Sequence, residues 1–121
     1  MRRYRVAVTT APDGTATAFS QSRISGELHS IQYVKGDFAD GVDFTVTAEA
    51  SGEQLWVENN VNASTTRYPR APTHSPAGAP ALYAAGGTGV LARPGLAADR
   101  IKIAIAQGGA VKSGVFHILV A

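Results

Sequence analysis

Apolar and polar residues alternate with a period of two through most of the chain. Tyr4, Val6 and Val8 alternate with Arg5, Ala7 and Thr9, and Val42, Phe44 and Val46 with Asp43, Thr45 and Thr47. Near the other end Ile101, Ile103 and Ile105 alternate with Lys102, Ala104 and Ala106, and Phe116, Ile118 and Val120 with His117, Leu119 and Ala121. This period belongs to half-buried strands. Leu28–Val34 reads as a further strand, Thr15–Ser20 (TATAFS) as a threonine-rich one, and Val90–Ala92 as a short one. No segment carries a persuasive helical period, and no internal repeat points to a solenoid.

Turn residues set the expected connections. Ala11–Gly14 (APDG) predicts a hairpin between the first two strands, because Pro12 presets its own φ and Gly14 accepts a positive one. Glu49–Gln54 (EASGEQ) predicts a hairpin between Val42–Thr47 and Leu55–Asn59, and Gln107–Gly114 (QGGAVKSG) one between the last two strands. Seven or eight short strands with frequent turns predict an all-β fold, an antiparallel sandwich or jelly roll, in a single domain over residues 1–121.

From Asn59 to Gly89 the pattern breaks, and four of the six prolines fall there: Pro69, Pro72, Pro76 and Pro80. Proline lacks a ladder donor, so a central strand is excluded. A loop of this length in a compact domain points to function or to disorder. Ala81–Ala85 within it is expected as a short helix or an edge strand. The Pro94-Gly95 turn leads out of it into the last two strands.

Composition adds modest constraints. The chain is 45% hydrophobic over 121 residues, enough for a real core, but much of that is alanine, with one Trp and four Phe. A thin core gains stability from assembly, which favours a homo-oligomer (dimer or trimer) or a docked partner. Eleven Lys and Arg against nine Asp and Glu are too balanced to name a nucleic-acid partner. Arg2, Arg3 and Arg5 do cluster around Tyr4, as a solvated strand face or as a contact patch for an acidic partner. With no cysteine there is no disulfide framework, thiolate metal site or cysteine nucleophile, which fits assembly in a cytosol. The first residues lack the apolar stretch of a signal peptide. No run approaches the roughly 20 apolar residues of a membrane span.

The candidate chemistry is sparse. His29, His74 and His117 show no metal-ligand spacing. Asp37, Asp40 and Asp43 stand at three-residue intervals around Gly41, the one place where a weak ion site is conceivable, although the spacing is not that of an EF-hand. Ala84–Gly89 (AAGGTG) lacks the Lys-Ser/Thr ending of a phosphate loop. No serine elbow is present, and Glu49, Glu53 and Glu58 gather at one hairpin turn, so no enzyme, cofactor or metal is expected. Trp56 sits opposite Leu55 and Val57 in strand alternation: either it faces outward while they face the core, or the reverse. An outward Trp56 anchors an interface or stacks on a sugar. Tyr68 and Arg70 lie in proline-stiffened backbone, which lowers the ordering cost of binding.

Three stretches carry a resemblance: YRVAVTTAPDGTATAFS at the start, ISGELHSIQYVKGDFADGVDFTVTAEASGEQLWVENNVNAS in the middle, and LAADRIKIAIAQGGAVKSGVFHILVA at the end. In its threonine-, alanine- and glycine-rich strand texture the chain resembles small virion proteins of tailed bacteriophages, most of all the cement or decoration proteins of the head. The resemblance implies a β-sandwich or jelly roll, made in the host cytoplasm, that oligomerises on the outer surface of the head. There it clamps subunits of the major capsid protein, without nucleic acid or membrane. Arg2, Arg3, Arg5, Trp56, Tyr68 and Arg70 are then the expected contact residues. The alternative expectation is a carbohydrate-binding or tail-fibre-associated adhesion module with Trp56 and Tyr68 as stacking platforms.

Overall fold

The computed structural model describes residues 1–121 and contains no helix. Its strands are β1 (Arg2–Thr9), β2 (Ala16–Phe19), β3 (Ile24–Val34), β4 (Val42–Ala48), β5 (Gln54–Val61), β6 (Thr65–Arg67), β7 (Ala71–Pro72), β8 (Leu91–Ala92), β9 (Gly95–Asp99), β10 (Ile101–Ala106) and β11 (Ser113–Val120). One sheet runs β1-β11-β3-β6, with β9 paired to the first part of β3, and the other runs β2-β10-β4-β5. All pairings are antiparallel. When β7, β8 and β9 are set aside as an insertion, eight strands remain. They alternate between sheets in the order first–eighth–third–sixth and second–seventh–fourth–fifth, which is jelly-roll wiring. The all-β sandwich expected from the strand periodicity is the observed fold.

Two of the three expected hairpins are not hairpins. β1 pairs with β11 and β2 with β10, so the APDG turn carries the chain from one sheet to the other. The QGGAVKSG segment likewise crosses from β10 to β11, which lie in different sheets. A strand buries the same alternate residues whether its successor lies beside it or across the core, so period-2 alternation does not separate the two cases. What separates them is where the loop's hydrogen bonds go. Gly108 N–H donates to the Gly14 carbonyl, Ala39 N–H to the Gly108 carbonyl, and the Thr10 hydroxyl to the Gly109 carbonyl. These bonds tie the loops to one another, although the APDG turn also closes on itself through Gly14 N–H to the Ala11 carbonyl and Ala11 N–H to the Thr15 carbonyl. Gly108 is required there, because a Cβ on it would lie 2.8 Å from Thr10 Cγ2. The β4–β5 hairpin forms as expected.

A single layer of 21 buried hydrophobic side chains lies between the sheets. Its centre is aromatic: Tyr33 lies 5.0 Å from Phe44 and 5.2 Å from Phe116 between ring centroids, and Phe44 meets Trp56 edge-on at 4.6 Å. Tyr33 is fully buried and its hydroxyl has no hydrogen-bond partner. Burial, with Asp40 nearby, pushes its pKa up to about 12. An unmade buried hydrogen bond costs about 1–3 kcal/mol. Tyr33→Phe keeps the ring and removes that cost, so it is expected to be neutral or to stabilise by about 1 kcal/mol in urea unfolding. A loss of stability would mean that the hydroxyl is satisfied in solution.

Candidate interaction surfaces

The insertion between β6 and β9 forms an arm. β7 and β8 pair through Ala71–Ala92 and Pro72–Leu91, and further bridges join His74 to Pro80 and Leu82 to Gly89. Beyond β7 and β8 three short extended pieces close on one another. Thr73 N–H donates to the Val90 carbonyl, Val90 N–H to the Ala81 carbonyl, and Ala81 N–H to the Thr73 carbonyl. The prolines do not prevent this order, because the donors used belong to the residues between them. The segment Ala81–Ala85, expected as a short helix or edge strand, contributes the middle extended piece through Ala81 and the bridge at Leu82.

This order is held without a core, since no residue from 71 to 93 is buried. Leu82 is 42%, Tyr83 76% and Leu91 56% exposed. Between Arg70 and Arg93 the sequence contains no Asp, Glu, Lys or Arg. An ordered, exposed and uncharged segment with large apolar side chains, flanked by an arginine on either side, has the make-up of an interface centre with its rim.

The root of the arm is pinned at an irregularity in β3. Leu119 pairs with Ser30 and Val120 with Leu28, leaving His29 as the extra residue of a bulge. The His29 ring meets Tyr68 edge-on at 5.6 Å, and Arg70 Nη1 donates to the His29 carbonyl at 3.1 Å. Tyr68 therefore keeps 59% of its surface exposed while standing at the base of the arm. The Arg70 guanidinium spends two bonds on backbone carbonyls, those of His29 and Pro69. It holds the root of the arm in place, a role the sequence did not disclose.

Trp56 faces inward and Val57 outward, the second of the two expected arrangements, but Leu55 is buried as well instead of exposed. Val46 pairs with Trp56 and Thr47 with Gln54, so Leu55 is an extra residue, and the bulge turns both Leu55 and Trp56 into the core while Val57 faces out. Trp56 Nε1 donates to Glu58 Oε1 at 2.9 Å. Arg67 grips the same carboxylate through Nε at 3.0 Å and Nη2 at 3.1 Å. Trp56 is thus no contact platform; with Glu58 and Arg67 it closes the β5/β6 side of the sandwich. The three aspartates also part company. Asp37 accepts from Ser113 N–H, Asp40 pairs with Lys35 at 3.0 Å, and Asp43 accepts from Asn60 N–H and the Gln107 amide. They do not converge, and no group of three or more His, Asp or Glu side chains is placed to share a metal ion.

The basic cluster lies on β1, at an edge of its sheet. Register places Arg3 beside Leu119 and Ser30, and Arg5 beside His117, Gln32 and Thr66, in two rows across the outer face with no carboxylate in either. Arg2 is also exposed, at the start of the strand. His117 is half-buried, and its Nδ1 has no partner. Burial first, then the Arg3 and Arg5 cations, lower its pKa below the usual 6.5. Glu58 is held below its usual 4.5 by hydrogen bonds from Arg67 and Trp56.

Both depressed groups act in the same direction. The stability from keeping His117 neutral is complete above its unfolded pKa and is lost as pH falls from about 6.5 through its lower folded pKa. That from Glu58 is lost at lower pH, below about 4.5. The unfolding free energy is therefore expected to decline in two stages on acidification. His117→Gln should remove the upper stage and leave the lower, as read by urea midpoints across pH.

Compared with protein-family models, with curated proteins and with solved structures, the chain matches none.

Proposed function

We propose that this protein is a cement or decoration protein: a structural virion component that binds the outside of a phage head and bridges major capsid protein subunits. The observation that carries the docking role is the uncharged arm, ordered by backbone bonds yet burying nothing, with Leu82, Tyr83 and Leu91 exposed. The resemblance in strand texture to small phage virion proteins suggests the class of partner. A jelly roll is a rigid support for such an arm, and fold alone names no partner.

On a head, each copy needs only a modest apolar contact, because the contact repeats over the particle and assembly into a homo-oligomer multiplies it. The adhesin reading loses one of its two aromatic platforms to the burial of Trp56, and Tyr68 alone makes a poor sugar site. The test is co-sedimentation of the purified protein with source-virus heads that lack it, counting bound copies per capsid subunit. Saturation at a fixed small ratio is the expected result. Absence of binding, with the protein found on tails or missing from virions, would overturn the proposal.

A further inference from the structure

We infer that the free edge of β1 takes up an extended acidic segment of a partner protein as an added antiparallel strand. The inference rests on reading the chain as a docking protein, and it concerns a surface separate from the arm. Its physical basis is the phase of the β1 ladder. Thr10 N–H donates to the Lys112 carbonyl, so at that end Thr10 directs its backbone groups toward the neighbouring β11. The β1–β11 register then continues without a shift from Thr9–Ser113 to Arg2–Val120.

In an antiparallel ladder the bonded residues alternate. Val8, Val6, Tyr4 and Arg2 therefore bond β11, while Thr9, Ala7, Arg5 and Arg3 turn their N–H and C=O groups away from it. The far side of β11 agrees: Ser113 bonds Asp37 N–H, and Ala121 exchanges bonds with Glu27, so odd-numbered residues of β11 face β3. The same four β1 residues carry their side chains on the outer face, where Thr9 Oγ1 meets Ser113 Oγ at 2.9 Å. No strand of the chain pairs with β1 on its open side.

Charge selects the occupant. A residue paired opposite Arg3 or Arg5 lies beside its guanidinium on the outer face, where a carboxylate is favoured and a second cation opposed. Within this chain Arg3 and Arg5 have no carboxylate partner, whereas Lys35, Arg67 and Arg100 each do. A second copy would bring another arginine-bearing β1 against the first, and edge cations of this kind discourage self-pairing. An acidic β-segment meets both the open backbone groups and the unmatched charges, in the manner of strand addition.

The test uses the whole protein without heads, so that it can fail separately from the cement reading. The probe is the peptide acetyl-Thr-Glu-Thr-Glu-Val-Glu-Thr-amide, with a control in which lysine replaces each glutamate. Amide exchange by NMR should find Arg3, Arg5, Ala7 and Thr9 open, and Tyr4, Val6 and Val8 protected, in the free protein. The acidic peptide should protect the open set and weaken with salt, and the lysine peptide should do neither. Replacing Arg3 and Arg5 together by Ser should weaken binding about tenfold.

Ala7→Pro removes a donor from the free edge only, so it should abolish binding while the β11-facing amides stay protected. Peptide contacts confined to another surface, or equal binding of the two peptides, would overturn the inference. So would concentration-dependent protection of the four amides without peptide, since that would assign the edge to a second copy.

Discussion

Replacing residues 74–89 by Asn-Gly is expected to abolish saturable binding to heads while leaving the unfolding free energy within about 0.5 kcal/mol of the native value. The graft is geometrically mild. Thr73 and Val90 continue the β7–β8 register and are joined by the Thr73 N–H bond to the Val90 carbonyl, so they can close a two-residue hairpin turn. Nothing removed is buried, hence no cavity or orphaned core group results. The loss falls on Leu82 and Tyr83, two of the arm's three large apolar side chains. Tyr83→Ser with Leu82→Ser should weaken binding at least tenfold, since truncating two central anchors costs about 2 kcal/mol or more. Retained stoichiometric binding by the graft would move the contact surface off the arm.

The contrast between arm and sandwich also shows what the sequence made legible. Alternation at Val42–Val46, Ile101–Ile105 and Phe116–Val120 marked strands that exist and the residues that fill the core. It left open which strands pair, because an arch and a hairpin bury the same residues. Only the loop-to-loop bonds of Gly14, Ala39 and Gly108 decide that, and they join positions distant in sequence. Leu55 beside an inward Trp56 was missed for a related reason. A strict period of two assigns Leu55 and Trp56 to opposite faces, and the extra residue of a bulge cancels that rule at one position.

The arm was located by its prolines, but its nature lay in a different signal. The absence of any charge between Arg70 and Arg93, together with the exposed Leu82, Tyr83 and Leu91, is the signal that supports the proposed docking role over a merely solvated loop. The anchoring role of Arg70 could not be read, since its bond to the His29 carbonyl spans 41 positions and depends on the bulge in β3.

Phe116→Ala is expected to destabilise the protein by about 3–5 kcal/mol, the largest single effect on folding. Phe116 is fully buried on β11, which β1 and β3 flank in its sheet. It meets rings from both sheets: Tyr33 of its own at 5.2 Å, and Phe44 and Trp56 of the opposite sheet at 5.1 Å and 6.4 Å. Truncation leaves a cavity lined by rigid rings that cannot collapse into it, so the full transfer and cavity costs are felt. Against a total stability of about 5–15 kcal/mol for a domain, this shifts the urea midpoint steeply. At temperatures where the variant remains folded, its binding to heads should match that of the native protein, because the Phe116 side chain lies between the sheets and is part of neither the arm nor the open side of β1. A variant that folds yet fails to bind would show that the sandwich interior sets the arm's position, and docking would then depend on the packing between the sheets.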